Sequence, residues 1–128
     1  MQDRPTQREM VEAAREFFER EVLPSLTDAR LRFRALVALN ALGIAEREMF
    51  AGDVFVDEEL EGLRALLGGE SGPLPESRAA KEAEAWRLRK ALSARIREGT
   101  APEGTGAFLK ASIGHKLAIA SPRFTSRY

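Results

Sequence analysis

RFRALVALNALGIAERE, residues 32–48, is the stretch whose reading decides the fold. Its apolar side chains recur every three or four residues, the period of a helix rather than the alternation of a strand. Phe33, Val37, Asn40 and Ile44 share one stripe, and Leu31, Ala35, Ala38, Leu42, Ala45 and Met49 share a second. A helix that is apolar on two sides is expected at the centre of a bundle. Its alanines and Gly43 would let neighbouring helices come close. Asn40 is the anomaly, an amide in the middle of an apolar stripe. A buried amide without partners costs a few kcal/mol, so the first expectation is a structural hydrogen bond at the packed centre. Two other roles stay open: fixing register at a helix–helix or dimer seam, and touching a ligand between helices. Arg47 lies on the same side of the helix, and a charge there is expected at an exposed end, in a salt bridge or against an anion.

Outward from this helix the punctuation is clear. Thr27-Asp28 suits its start and Gly52 its stop. An earlier helix begins after Thr6, where Thr6 and Glu9 have capping-box spacing, and runs until Pro24 ends it. Its apolar rows are Met10, Ala14, Phe17 and Val11, Phe18, Val22. A short helix is expected over about 57–67, with Leu60, Leu63 and Leu67 inward, and GGESGPLP at 68–75 is a loop. A fourth helix runs from Pro75 to Glu98 on the stripe Ala85, Leu88, Leu92, Ile96, and a fifth from about Gly106 to Ala120 until Ser121-Pro122 stops it. Only Val54-Phe55-Val56 looks β-like, and it is too short for a strand. Short connections between helices imply an all-α fold: an antiparallel up-and-down bundle of about five helices. It reads as one domain over 1–128, with an extended arm at 1–6 and a tail at 121–128.

Composition removes whole classes of function. The chain has no cysteine and one histidine, His115, so thiolate catalysis, disulfides, Cys-based zinc and a His-rich metal site are absent. No Glu-x-x-His or His-Glu-x-x-His occurs, and no nucleophile stands near His115 at catalytic spacing. Catalytic residues, metal ligands and cofactors are therefore all read as none. His115 shares a row with Phe108, Ser112 and Ile119 and is expected to be packed or half-exposed. Gly104-Thr105-Gly106 lacks the strand and the Lys-Ser/Thr of a nucleotide loop. The basic run Arg87, Arg89, Lys90, Arg95, Arg97 is flanked by Glu82, Glu84 and Glu98, and the pI is about 6.6, so nucleic acid is not an expected partner. No apolar run reaches the roughly 20 residues of a membrane span. MQDRPTQREM has no apolar signal core, and a cytoplasmic location is expected. The three side-chain amides, the missing cysteines and 16 Arg against 4 Lys fit a heat-adapted source, and a GC-rich genome would also favour Arg.

Charge is zero overall but polarised. Residues 1–60 carry 8 basic and 13 acidic side chains, and residues 61–128 carry 12 and 7. That layout suits pairing between the halves, self-association, or an anionic partner for the acid-free tail, 110–128, that holds Lys110, Lys116, Arg123 and Arg127. Trp86 lies off its helix's core stripe, either packed on loops or marking a contact surface.

Several short stretches together resemble a known group. They are Met1-Gln2-Asp3-Arg4-Pro5, Val22-Leu23-Pro24, Asn40-Ala41-Leu42, Arg47-Glu48, Lys116-Leu117-Ala118 and Ser121-Pro122-Arg123-Phe124. The chain resembles, over nearly its whole length, a family of small bacterial proteins classed as a domain of unknown function. That family's pattern has Asn before the last proline, where this chain has Ser121. The resemblance carries no established activity. It implies proximity to acyl-CoA metabolism, because family members are often encoded beside acyl-CoA dehydrogenases and aminoglycoside-phosphotransferase-like kinases. The expected function is thus a non-catalytic accessory protein that pairs with itself or with such an enzyme. The alternative is a binder of an anionic, acyl-CoA-like or phosphate ligand at Asn40, Arg47, Lys116 and Arg123, and an enzyme of unknown type comes third.

Overall fold

The computed structural model describes residues 3–69 and 71–127, with side chains through Phe124. Among them are five α-helices and no strand: α1 (Gln7–Phe17), α2 (Ala29–Ala51), α3 (Val54–Leu67), α4 (Arg78–Arg97) and α5 (Thr105–Ala120). The fold is all-α. Contacts gather the chain into two units, residues 1–52 and 53–128.

The first unit is a helical hairpin. Thr6 caps α1 with the reciprocal pair its sequence foretells: its N–H donates to Glu9 Oε2 at 2.7 Å, and Glu9 N–H donates to Thr6 Oγ1 at 3.2 Å. The helix does not run unchanged to Pro24. It widens into a π-helical stretch, Phe18–Val22, and tightens into a 3-10 turn, Leu23–Ser25. Proline lacks the amide that a further turn would need. α2 then starts at its N-cap Asp28, whose carboxylate accepts from Leu31 N–H at 2.8 Å, and stops at Gly52. Three contacts show that α1 and α2 are antiparallel. Arg8 lies over the Phe50 ring at 4.1 Å, Arg15 Nε donates to Glu46 at 2.7 Å, and Arg32 donates to the Leu23 carbonyl at 3.4 Å.

The expectation that this apolar helix is the centre of the core is corrected by burial. No residue of α1 or α2 is buried. Ala35, Leu39, Leu42 and Glu46, on the flank that pairs with α1, are half-buried, and so are Gly43, Ile44, Ala45 and Arg47. On the opposite flank Phe33, Leu36, Val37 and Asn40 are exposed.

The core lies in the second unit, where Leu60, Leu63, Ala85, Leu88 and Leu92 of α3 and α4 pack together. α3 starts at Val54, so Val54-Phe55-Val56 is its first turn, not a β-like piece. β-branched residues are tolerated there because Val56 is buried in packing. α4 starts one turn later than Pro75 suggested, at N-cap Ser77, whose hydroxyl accepts from Ala80 N–H at 3.1 Å. Ion pairs cross the interface. Asp53 Oδ1 is 3.1 Å from Arg78, Asp53 Oδ2 is 2.9 Å from Lys81, and Asp57 is 2.7 Å from Lys81, so the first turns of α3 and α4 meet. Arg64 forks onto Glu84 at 2.8 and 3.0 Å and donates to the Gly72 carbonyl at 3.0 Å, tying down the loop between the helices.

α5 packs antiparallel on α3. Leu66 neighbours Gly104, Gly62 faces Phe108, and Phe55 stacks on His115. The Gly-Thr-Gly at 104–106 is the start of this helix: Gly104 adopts φ 91 and the buried Thr105 hydroxyl donates to the Pro102 carbonyl at 2.6 Å. After Ser121 the chain forms a 3-10 turn over Pro122–Arg127.

Candidate functional site

Two features stand out, one in each unit. In the second unit a groove of about 570 Å3 runs between α3 and α5. Its floor exists because Gly62 has no side chain: a Cβ there would stand 2.8 and 2.9 Å from the Phe108 ring. One wall is the row Phe108, Ser112, His115 of α5, spaced four and three, which the sequence places on one face. The other wall carries Glu58 and Glu59 of α3, with Glu103 at one end.

His115 is half-buried. Its ring stacks on Phe55 with centroids 4.5 Å apart and planes 15° apart, and its Nε2 lies 3.0 Å from Glu58 Oε2. Glu59 accepts from Arg89 of α4 at 2.5 and 2.8 Å. Those hydrogen bonds, against the opposing effect of burial, hold its carboxyl below the usual range. The groove is thus acidic and aromatic. Three carboxylates line it, of which Glu59 is paired with Arg89 and Glu58 lies beside His115. No group of three or more potential metal ligands exists among the described residues.

The second feature is the open flank of α2. Phe33, Leu36 and Val37 are exposed there, Phe33 at 67%. Asn40 stands among them and is itself exposed, so it is not the amide of a packed centre. Water reaches it, and no buried carbonyl has to satisfy it. Arg47, two turns on, is half-buried and folds back along its own helix, its Nη1 3.3 Å from where a Cβ on Gly43 would sit. Lys116 is exposed on α5 beside His115, and Arg123 is exposed in the 3-10 turn after α5. Asn40 and Arg47 thus share a face of the first unit, and Lys116 and Arg123 belong to the second. Trp86 is 58% exposed on α4, with the Lys90 ammonium 5.2 Å from its ring centroid.

The family model of a domain of unknown function, DUF6285, matches residues 24–124, from the 3-10 turn before α2 to the turn after α5. The chain belongs to this family. The match leaves α1 outside and takes in both features, the open flank of α2 and the groove between α3 and α5. No curated protein and no solved structure matches the DUF6285 chain. Among its described residues no helix is long and apolar enough to cross a membrane.

Sequence reasoning missed Glu58, Glu59 and Gly62 as groove residues. The signal was present in part. Gly62 sits inside a stretch of good helix formers at a cost of about 1 kcal/mol relative to Ala, which marks a close approach. The sequence does not say which ring approaches.

Proposed function

We propose that this DUF6285 chain is a non-catalytic accessory protein that works by associating with other protein chains. One observation carries the reading. The α1–α2 hairpin buries no residue, yet it exposes Met10, Phe17, Leu31, Phe33, Val37 and Phe50. Apolar surface of that extent, on helices capped and ion-paired into a defined hairpin, is the kind that a partner covers. In the acidic groove the histidine lies 3.0 Å from one glutamate, and another glutamate is held by Arg89. For the partner we propose an enzyme of acyl-CoA metabolism, on the gene neighbourhood of the family the sequence resembles.

The test is gentle purification of the tagged chain from its native host. It is followed by reconstitution with any stoichiometric protein recovered, both purified. Reconstitution that is lost on Phe17→Glu, a change on an exposed face of α1, is the expected result. A chain that returns alone under all conditions overturns the accessory reading.

A further inference from the structure

The groove between α3 and α5 has a carboxylate at each end and an apolar floor between them. At one end stands Glu58, whose one partner among the described residues is His115. At the other stands Glu103, which makes no ion pair among the described residues. The floor is Gly62, Ala65, Ala107 and Ala111 beside the Phe108 ring. The third carboxylate is already matched: Glu59 accepts two hydrogen bonds from Arg89, and the Lys116 charge also favours its ionised form.

Helix rise sets the spacing of the two ends. Gly104, next to Glu103, is level with Leu66, because a Cβ on it would stand 3.6 Å from Leu66 Cδ2. Leu66 lies two turns beyond Glu58 on α3, a rise of about 12 Å.

We infer that the groove binds a linear polyamine, an unbranched methylene chain whose terminal ammonium groups stand about 9–13 Å apart, matching the two carboxylates. The site lies wholly in the second unit and goes beyond the reading of the chain as an association module. Each terminal ammonium meets one carboxylate in a charge-assisted hydrogen bond. Such amines keep their proton at neutral pH, as lysine does. The methylenes lie on the alanines and against Phe108, where small side chains leave room, and their removal from water favours a long chain over two separate small cations. Linkage adds to this: once one end is paired, the second pairing is intramolecular. Ser112, half-buried in the wall, has a hydroxyl with no hydrogen bond among the described residues, and it offers an acceptor to an N–H of the chain. A volume of about 570 Å3 is in the range of small-ligand sites.

Calorimetric titration of the full-length protein in low-salt buffer tests this with four probes: spermidine, 1,8-diaminooctane, 1,4-diaminobutane and octylamine. Extended, the first two place their terminal nitrogens about 11 Å apart and the third about 6 Å, from ordinary bond lengths. Octylamine has a long chain but one charge. Spermidine is expected to bind once per chain and 1,8-diaminooctane comparably. The other two should bind about threefold to fivefold more weakly, the worth of one exposed ion pair. Glu58→Gln and Glu103→Gln should each weaken spermidine by the same factor and bring 1,8-diaminooctane to the level of octylamine. Ala111→Phe fills the floor and keeps every charge, and should abolish binding. Glu61→Gln, at an exposed α3 carboxylate that does not line the groove, should leave it unchanged. Circular dichroism first confirms that each variant is folded. No binding of spermidine at millimolar concentration overturns the inference. So does binding that Glu103→Gln and Ala111→Phe leave intact, which would mean diffuse attraction of cations to acidic surface.

Discussion

Gly62→Ala sets two known effects against each other at the floor of the groove. Placing alanine inside α3 raises helix propensity, worth up to about 1 kcal/mol. The new methyl would stand 2.8 and 2.9 Å from Cδ2 and Cε2 of Phe108. Carbon atoms sit comfortably at about 3.5–4.0 Å, so the ring must retreat by roughly 0.7 Å or α5 must lift. Phe108 is half-buried and packs against the core, so its ring is not a free end that swings aside. Overpacking of this kind costs about 1–3 kcal/mol. The net expectation is a loss of about 0–2 kcal/mol. Gly114→Ala is the matched control: it too lies inside a helix, and nothing stands within 4 Å of its Cβ position. It should gain about 0.5–1 kcal/mol. Urea unfolding of both variants measures the gap between them, expected at about 1–3 kcal/mol, and Phe108→Leu should narrow it. If Gly62→Ala stabilises as much as Gly114→Ala, α5 does not rest on α3 at this point and the groove's floor is misassigned.

Four further outcomes follow from the same contacts. Leu60→Ala, at a site with 0% exposure, should cost about 3 kcal/mol in denaturant unfolding; a loss below about 1 kcal/mol would mean that α3 and α4 do not form the core. Arg64→Met removes both hydrogen bonds to Glu84 and the tie to Gly72, and should cost about 2–3 kcal/mol, with Arg64→Met/Glu84→Leu recovering much of it. Protease nicking in the 68–75 loop should rise in the single variant. Acid should destabilise the second unit: Asp53 is held below the ordinary carboxyl range by Lys81 and then Arg78, and Glu59 by Arg89. Their stabilisation is complete above the unfolded value near pH 4 and is lost as pH falls through the lower folded values. An acid-unfolding limb that is unchanged by Glu59→Gln would contradict this. Asn40→Leu should change the stability of the separate chain by under about 0.5 kcal/mol, because the amide is exposed; a loss above 2 kcal/mol would restore the packed-centre role.

Much of the fold was legible because helices write locally. Thr6 with Glu9, Asp28 and Gly52 act within a few residues of themselves, so their caps appear where the sequence places them. The row Phe108, Ser112, His115 is likewise fixed by helix period, and it does line the groove. Local pattern misleads where packing overrides it. Val54-Phe55-Val56 carries β-branched residues, yet it forms the first turn of α3 because Val56 is packed in the second unit.

The sequence by itself determined the class: five helical segments between strong stops, and no thiol. Periodicity and capping are properties of single segments, and they survive without knowledge of neighbours. The tertiary structure alone decided which apolar stripe is covered. Periodicity gives a helix its faces but assigns no partner to any of them. α2, apolar on two sides in pattern, has no fully buried residue, and α3 and α4 hold the core. The same rule governs Asn40. Its place in the middle of a stripe was visible in the sequence, but whether an amide faces core or water depends on what packs over it, and nothing in RFRALVALNALGIAERE encodes that.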